Sequence, residues 1–228
     1  MCIRDRKRFL ELFSGSGHLA SAFAERGVPV ECWDIIHGSR YDLSRATTQY
    51  NILQAIRQKK FLMVHIGMPC SSWTRIMDIN WEGKRPGCRP LRTDAQPMGI
   101  DKHANGDPLT EKERRKLADA NRLLSFCLGV IKFCIKYGVM VSFENPRGSR
   151  VFLTKSFLEV ADHPSVRWQT ASYCQYGTPW RKNTHFVTWN CPDFALKMCK
   201  PPRGTSRSIC TYTKKPHAEL IGKSHTGG

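Results

Sequence analysis

The stretch RFLELFSGSGHLA at residues 8–20 decides the fold. Its apolar start predicts a short strand that stops at the Ser/Gly run of residues 14–17. A helix is predicted over residues 18–26, because apolar residues recur there at helical spacing and Gly27 stands where a left-handed C-terminal cap is needed. Residues 28–33 then predict a second strand that ends at Asp34. The stretch therefore predicts a β-α-β unit.

The rest of the chain continues this alternation of helices and strands. A predicted helix over residues 50–58 precedes an apolar strand over 61–66, which ends at Gly67-Met68-Pro69-Cys70. Residues 78–109 have no periodicity and predict a long loop. A capping box at residues 110–113 starts a helix that runs to Gly138, and a strand over 139–143 ends at Glu144. We expect a Rossmann-like α/β fold, an open and mostly parallel sheet with helices on both faces.

The composition is typical of a folded protein that binds a polyanion. The 228 residues include 36 Lys+Arg and 19 Asp+Glu, which gives a formal net charge of +17 and a pI near 9.7. A folded domain of this charge most often binds nucleic acid, although a basic surface can also serve solubility alone. The 40% hydrophobic residues can bury a core. No apolar run has the ~18 residues that a membrane span needs.

We divide the chain into three parts. Residues 1–7 are expected to be a non-native or disordered leader, residues 8–190 a folded core, and residues 191–228 a basic tail rich in Cys and Pro. The ten cysteines are irregularly spaced, and no secretory signal precedes them. A reducing, intracellular compartment is therefore expected, with the nucleus as the site if the source is a eukaryote.

The residues suited to chemistry fall at the predicted strand ends. Residues 15–20 match the Gly-x-Gly-x-x-Gly/Ala pattern, and Asp34 at the next strand end can accept hydrogen bonds from ribose hydroxyls. The alternative is a tight turn with a solvated Asp. Cys70 could be a nucleophile or a buried inert thiol, and Glu144 a functional carboxylate or a cap. In a parallel sheet, all of these positions would face one crevice.

Three motifs together resemble the DNA (cytosine-5) methyltransferase family. FSGSG at residues 13–17 looks like its cofactor loop, GMPCSS at 67–72 like its Pro-Cys motif, and ENP at 144–146 like its Glu-Asn motif. The resemblance implies S-adenosylmethionine as cofactor, with Cys70 as nucleophile and Glu144 as the carboxyl that holds the base. It also implies cofactor contacts by Phe13, Ser14, Gly15, Gly17, Asp34, Asp42 and Pro69.

The resemblance further implies contacts to nucleic acid. The family has a mobile loop after the nucleophile, and residues 73–109 supply Arg75, Lys84, Arg85, Arg89 and Arg92 to meet phosphates. Its Gln-x-Arg-x-Arg motif would fall near residues 176–184, where Arg181 or Lys182 would contact the base or the backbone. Here Trp180, Lys182 and Thr184 stand in place of Gln, Arg and Arg, which puts target engagement in doubt.

The predicted function is methyl transfer to C5 of cytosine in DNA through a covalent thiol adduct. The alternatives are the same chemistry on a tRNA-like RNA, and an inactive nucleic-acid-binding relative. Only about 40 residues follow the altered motif, so the family's recognition domain and final Gly-Asn motif are not found. We expect a monomer, for which a second chain could supply target recognition.

The tail contains a weak metal-binding pattern. Cys191, Cys199, Cys210 and His217 could hold zinc tetrahedrally, but no tight Cys-x-x-Cys pair is present. We therefore predict no metal, and unpaired cysteines are the alternative. The stretch from Lys200 to Lys215 is predicted to contact nucleic acid instead.

Overall fold

The computed structural model describes residues 6–79, 89–200 and 209–218. Within these ranges the chain forms six strands and five helices. The strands are β1 (Arg8–Leu12), β2 (Val30–Trp33), β3 (Phe61–Ile66), β4 (Met140–Pro146), β5 (Arg167–Ser172) and β6 (Asn183–Trp189). The helices are α1 (His18–Ala24), α2 (Ala46–Arg57), α3 (Ile76–Ile79), α4 (Glu111–Tyr137) and α5 (Lys155–Ala161). Short 3-10 turns lie at Ile35–His37, Ser39–Tyr41, Arg150–Leu153 and Tyr173–Tyr176.

The strands form one sheet in the order β2-β1-β3-β4-β6-β5. The first four are mutually parallel, and β6 runs antiparallel to both β4 and β5. This arrangement confirms the predicted Rossmann-like, open and mostly parallel sheet. Because β1 to β4 are parallel neighbours, their carboxyl ends meet at one edge. The residues singled out by the sequence therefore lie along the same edge of the sheet.

Helices cover both faces of the sheet. Phe9 of β1 stacks on Phe23 of α1, with ring centroids 3.9 Å apart, while Leu10 packs in the main core with α2 and α4. Successive strand residues point to opposite faces, so α1 lies on one face and α2 and α4 on the other. The main core extends to α5, where Phe143 of β4 packs against Phe157. This packing holds β4 in position against α5.

The long helix α4 has 27 residues and begins at the predicted capping box. Thr110 Oγ1 accepts from the Glu113 N–H, and the Glu113 carboxylate accepts from the Thr110 N–H. The helix ends at Gly138, which has the left-handed φ of 68° that the cap prediction requires. Within the described ranges, no helix is both long enough and apolar enough to cross a bilayer.

Several predicted boundaries differ from the structure, two of them by three residues or more; α1 ends at Ala24 rather than residue 26, and β2 starts at Val30 rather than residue 28. β4 runs to Pro146 rather than ending at residue 143, because β6 pairs with its last three residues, Glu144 opposite Phe186 among them. Glu144 therefore lies inside the strand. α2 starts at Ala46 rather than residue 50. The sequence prediction misses this first turn because it is polar and contains threonines, which have low helix propensity.

The described part of the predicted loop over residues 73–109 is packed rather than extended. α3 forms at its start, and residues 89–109 contain neither helix nor strand. Leu91, Ile100 and Leu109 form a small apolar cluster with Leu117 of α4. This cluster attaches the loop to α4, and the mobility of its undescribed residues stays a prediction.

The capping box gives a test of the fold. We expect Thr110→Ala to lower the free energy of unfolding by about 1 kcal/mol, because the Glu113 N–H loses its acceptor at the start of α4. Urea denaturation followed by circular dichroism measures this change. Lys112→Ala is the matched control, since Lys112 is an exposed residue of the same turn. Equal stabilities of the two variants would contradict the capping role.

Candidate active site

The loop between β1 and α1, residues 13–17, has a backbone that only a few residue types adopt easily. We call it the glycine loop. Gly15 and Gly17 have φ values of 51° and 68°, and Phe13 adopts a left-handed φ of 59°. A Cβ built at either glycine would meet no atom within 4 Å. The space over both glycines is open, so a ligand can approach the backbone there.

The start of α1 is fixed from the sheet below it. Gly17 is the N-cap and has no side chain to cap the helix, but Glu11 of β1 accepts from the Ala20 N–H at 2.9 Å. Glu11 is buried, and this burial raises the pKa of its carboxyl, although the Ala20 hydrogen bond opposes that rise. The buried Glu11 thus holds α1 and the glycine loop in place.

Asp34 joins the glycine loop to the end of β2. Its Oδ2 accepts from the Gly15 N–H at 2.9 Å, and its Oδ1 accepts from the Ile36 N–H at 3.1 Å. A carboxylate has about four acceptor positions, so each oxygen can still accept from a hydroxyl. The exposed side chains of Ile35 and Ile36 add apolar surface beside it. These features fit a nucleoside with two neighbouring hydroxyls.

Two further predicted cofactor residues have local partners. Ser14 is buried, and its Oγ lies 3.3 Å from His37 Nε2. Asp42 follows the turn Ser39–Tyr41 and accepts from the Ser44 N–H at 2.8 Å. Hydrogen bonds from the side chain and backbone of Ser44 lower the pKa of Asp42. In the structure Asp42 thus shapes the approach to α2, and its contact to a cofactor stays a prediction.

The loop with Pro69 and Cys70 follows β3 and is tied to its neighbours. Gly67 N–H donates to Leu12 O at 3.0 Å, and a Cβ on Gly67 would lie 3.4 Å from Phe13 O. On the other side, Asn145 Nδ2 donates to Met68 O at 2.9 Å in a buried position. The loop is therefore held between the glycine loop and the end of β4.

Cys70 lies among charged side chains. Its thiol is half-buried, and burial raises its pKa. The positive charge of Lys182 lowers this pKa, while the negative charge of Glu144 raises it. The structure thus brings together the thiol and the carboxylate that the sequence placed 74 positions apart. Neutralising the negative charge of Glu144 would lower the pKa of Cys70 and so favour its thiolate.

Glu144 has two partners that the sequence did not reveal. Tyr173 donates its hydroxyl to Glu144 Oε1 at 2.7 Å, and Lys182 Nζ lies 3.4 Å from the same oxygen. Lys182 also lies over the Tyr173 ring, 4.9 Å from its centroid. Burial, with Glu144 nearby, raises the pKa of Tyr173 far above its usual value, so its hydroxyl stays a donor. No spacing in the sequence predicts this contact. Tyr173 follows β5 and comes close to Glu144 of β4 only because β6 pairs with both strands.

The basic residues predicted to meet phosphates divide into different environments. Arg75 is half-exposed and forms a 2.5 Å ion pair with Asp94. Arg92 is only 1% exposed and lies over the Trp73 ring at 3.4 Å, so its predicted phosphate contact is wrong. Arg181 has a buried Nε with no partner among the described residues. Arg89 pairs with Asp107. Lys84 and Arg85 lie outside the described residues.

Arg150, at the turn after β4, is a second residue that the sequence did not reveal. Its guanidinium is 7% exposed and contacts Asp78 at 2.6 Å and Asp94 at 3.1 Å. Its N–H also donates to Trp73 O at 2.9 Å. Arg150 therefore connects the chain that follows Cys70 to the chain that follows Glu144.

A cleft of about 710 Å³ adjoins the Cys70 loop. Met68, Pro69 and Trp73 line one wall, and the first turns of α4 line the other. The α4 wall carries three cations, Lys112, Arg115 and Lys116, and two carboxylates, Glu111 and Asp119. Pro69, predicted to touch the cofactor, thus faces an open space with charges of both signs beside the nucleophile loop.

The tail residues do not assemble as the spacing implied. Cys191 is half-buried, and its thiol contacts Val141 O at 3.6 Å, away from the others. Cys199, Cys210 and His217 come together with Cys174, which follows Tyr173. The group that comes together therefore differs in one member from the four residues considered for zinc, because the turn after β5 brings Cys174 to the place given to Cys191. Arg203 and Arg207 of the predicted nucleic-acid-contacting tail lie outside the described residues.

The fold and site together define an α/β protein of the Rossmann-like class with a thiol and a carboxylate at the carboxyl edge of its sheet. No protein-family model matches the chain. No curated protein sequence matches it either.

Three solved methyltransferase structures are similar to this chain, each with a TM-score below 0.5. The Entamoeba histolytica methyltransferase EhMeth is similar with a TM-score of 0.43 and 12% identity, over 84% of this chain and 56% of that one. The S. pombe Dnmt2 methyltransferase gives 0.43 and 13%, over 90% and 58%. A mutant of Spodoptera frugiperda DNMT2 gives 0.41 and 14%, over 89% and 58%. This chain spans less than three fifths of each of these structures.

The charges around Cys70 predict opposite effects of two variants on thiol reactivity. Lys182→Met removes the charge that lowers the Cys70 pKa, so we expect several-fold slower alkylation by iodoacetamide at pH 7.5. Glu144→Gln removes the charge that raises it, so we expect faster alkylation. Peptide mass spectrometry measures both rates, with Cys191 as the internal reference. A change in the same direction in both variants would show that these charges do not control the thiol.

Proposed function

We propose that the protein transfers a methyl group from S-adenosylmethionine to C5 of cytosine in DNA. The observation that carries this proposal is the group formed by Cys70 and Glu144, with Tyr173 and Lys182 both placed on the carboxylate. Cytosine C5 is too weak a nucleophile to accept a methyl group directly. A thiol and a carboxyl close together can activate the ring in one concerted arrangement.

Cys70 supplies the nucleophile. Its thiolate adds to C6 of the ring, a new S–C6 bond forms, and the electron pair of the C5–C6 double bond moves to make C5 nucleophilic. The methyl group would come from the sulfonium of the cofactor, whose S–CH3 bond would break to leave a neutral thioether. Loss of the C5 proton to water then restores the double bond and expels the thiolate. Burial raises the pKa of the Cys70 thiol, and the positive charge of Lys182 opposes that rise and so favours the thiolate.

Glu144 holds the other side of the ring. For this step the carboxylate takes up a proton from solvent on Oε2 and donates it to N3, which makes C6 electrophilic and fixes the base in the plane of attack. Tyr173 and Lys182 both contact Oε1, which leaves Oε2 for the base. Lys182 thus has two neighbours in the reaction, the carboxylate and the thiol. A base inside a duplex cannot reach this group, so the target nucleotide must be flipped out of the stack.

The glycine loop and Asp34 are the residues that would hold S-adenosylmethionine. The open space above Gly15 and Gly17 admits a ligand, and the Asp34 carboxylate can accept from ribose hydroxyls. The bound cofactor would supply an electrophilic methyl group carried by a sulfonium. Gly67 and the glycine loop are in direct contact, which puts this pocket beside the Cys70 loop.

The net charge of +17 supports a nucleic-acid substrate, since each phosphate contact adds affinity that falls with salt. DNA is the polymer we propose. The chemistry at Cys70 would be the same on RNA, so the experiment below includes both polymers. Contacts to the substrate by Arg75, Arg181 and the lysines and arginines outside the described residues belong to this proposal.

A covalent adduct tests the nucleophile and the polymer together. Duplex DNA with 5-fluorocytosine and S-adenosylmethionine should give a complex that survives denaturation, because fluorine at C5 cannot leave as a proton does. Cys70→Ala should abolish the adduct, whereas Cys32→Ala, a change at another half-buried thiol, should preserve it. The adduct is measured by gel shift and mass spectrometry.

Each other outcome of that experiment decides a point. An adduct formed by Cys70→Ala would refute the assignment of the nucleophile. An adduct on 5-fluorocytosine tRNA but not on DNA would refute DNA as the polymer and keep the chemistry. Binding of both polymers with no adduct on either would identify the chain as an inactive nucleic-acid-binding protein.

The cofactor pocket has its own test. Isothermal titration calorimetry should show saturable binding of S-adenosylmethionine to the wild type. The affinity should be at least tenfold weaker in Asp34→Ala, because the partly buried carboxylate that would accept from the ribose hydroxyls is lost. Asp162→Ala, at an exposed carboxylate after α5, is the matched control. Equal affinity of wild type and Asp34→Ala would place the cofactor elsewhere.

A further inference from the structure

Four metal-binding side chains meet behind the turn Tyr173–Tyr176. They come from three separate parts of the sequence: Cys174, Cys199, Cys210 and His217. One ligand atom of each lies within 4.8 Å of all the others. The three cysteines are at most 1% exposed, are free thiols, and form a cluster of their own apart from the main core. We call this group the Cys3His cluster.

The geometry of the Cys3His cluster matches a tetrahedral ion. With Zn–S near 2.3 Å and Zn–N near 2.0 Å, tetrahedral angles put a sulfur and a nitrogen about 3.5 Å apart, and two sulfurs about 3.8 Å apart. Cys199 Sγ lies 3.6 Å from His217 Nε2, and all four ligand atoms lie within 4.8 Å of one another. The Cys199–His217 separation is too long for a covalent bond and is close to the separation of two ligands on one ion.

Nitrogen donors point at the sulfurs. The Thr211 N–H donates to Cys199 Sγ at 3.4 Å, and Gln175 Nε2 lies 3.8 Å from both Cys174 Sγ and Cys210 Sγ. A neutral thiol sulfur is a weak acceptor, whereas a metal-bound thiolate accepts readily. Hydrogen bonds of this kind orient the ligands of structural metal sites. The surroundings are therefore those of thiolates.

We propose that Cys174, Cys199, Cys210 and His217 bind a structural zinc ion. Binding releases the three thiol protons to solvent and leaves a site with a net charge of −1, from one Zn²⁺ and three thiolates. All four tetrahedral positions are filled by the protein, as in structural rather than catalytic zinc sites. Three thiolates favour zinc over magnesium or calcium, which prefer oxygen ligands.

The zinc ion has a structural task at this place. Residues 191–200 have no helix or strand, and residues 209–218 contain only turns and isolated bridges, such as Trp180 opposite Ala218. Segments with so little regular structure need another source of stability, which a metal ion provides. The ion would fasten both segments to Cys174, the neighbour of the residue that holds Glu144. This inference stands apart from the proposed methyl transfer.

Metal analysis of the full chain tests the proposal. Protein purified with reductant and dialysed against metal-free buffer should contain one zinc per chain by inductively coupled plasma mass spectrometry. Replacement by Co²⁺ should give the visible absorption of tetrahedral cobalt with thiolate ligands. Iodoacetamide should leave Cys174, Cys199 and Cys210 unmodified until a chelator is added, while Cys191 reacts at the same rate with or without it.

Variants distinguish the proposed ligands from Cys191, a tail thiol outside the cluster. Cys210→Ser and Cys199→Ser should lose the bound zinc and unfold at a lower temperature, whereas Cys191→Ser should keep one zinc. His217→Cys should retain the metal as a four-thiolate site and shift the cobalt spectrum, which preserves the test if the serine variants do not fold.

Three results would overturn the proposal. The first is a wild-type chain that takes up less than a stoichiometric amount of zinc or Co²⁺ after reconstitution. The second is a Cys191→Ser variant that loses zinc as Cys210→Ser does. The third is protection of the three thiols that a chelator does not remove but a reductant does, since that pattern indicates a disulfide.

Discussion

Asn145 Nδ2 donates a buried hydrogen bond to Met68 O, and the position of the site depends on it. The bond joins the end of β4 to the loop after β3, one residue from Glu144 on one side and two from Cys70 on the other. Parallel pairing of β3 and β4 sets the register beneath it, with Ile66 opposite Phe143. Together with the bonds from Gly67 N–H to Leu12 O and from Arg150 N–H to Trp73 O, this contact sets the position of the Cys70 loop relative to the carboxylate. A backbone acceptor and a side-chain donor thus convert sheet register into active-site geometry.

The sequence predicts the part of the site that local pattern controls. The strand and turn of residues 8–17, the capping box and the apolar strand before Cys70 are all encoded by neighbouring residues, so periodicity and turn chemistry find them. Tyr173 and Cys174 could not be found in this way. They reach Glu144 and the Cys3His cluster because β6 inserts antiparallel between β4 and β5, and no local signal encodes that pairing. For the same reason the sequence suggests Cys191, the first residue of the tail, as a zinc ligand in place of Cys174.

The excess of positive charge is also used differently than a count implies. Arg150 is nearly buried between Asp78 and Asp94, and Arg92 lies over Trp73, where burial lowers its pKa to about 10. These cations hold the chain on either side of the nucleophile loop rather than facing solvent. Two of the cations counted in the +17 are thus not exposed to a polyanion, whereas others lie on the α4 wall of the cleft beside Pro69.

The altered motif at residues 176–184 gains a physical explanation from this packing. Thr184, which stands where the resembled family has Arg, is fully buried and pairs with Pro146 in the sheet, so a long cation would have no room there. Lys182 reaches Glu144 from the residue just before β6, and Tyr173 reaches the same oxygen from the end of β5. The carboxylate therefore receives a phenol and an ammonium from two adjacent strands. Because Cys174 follows Tyr173, any ion in the Cys3His cluster would fix the backbone that presents the phenol, which links the irregular tail to the geometry of the carboxylate.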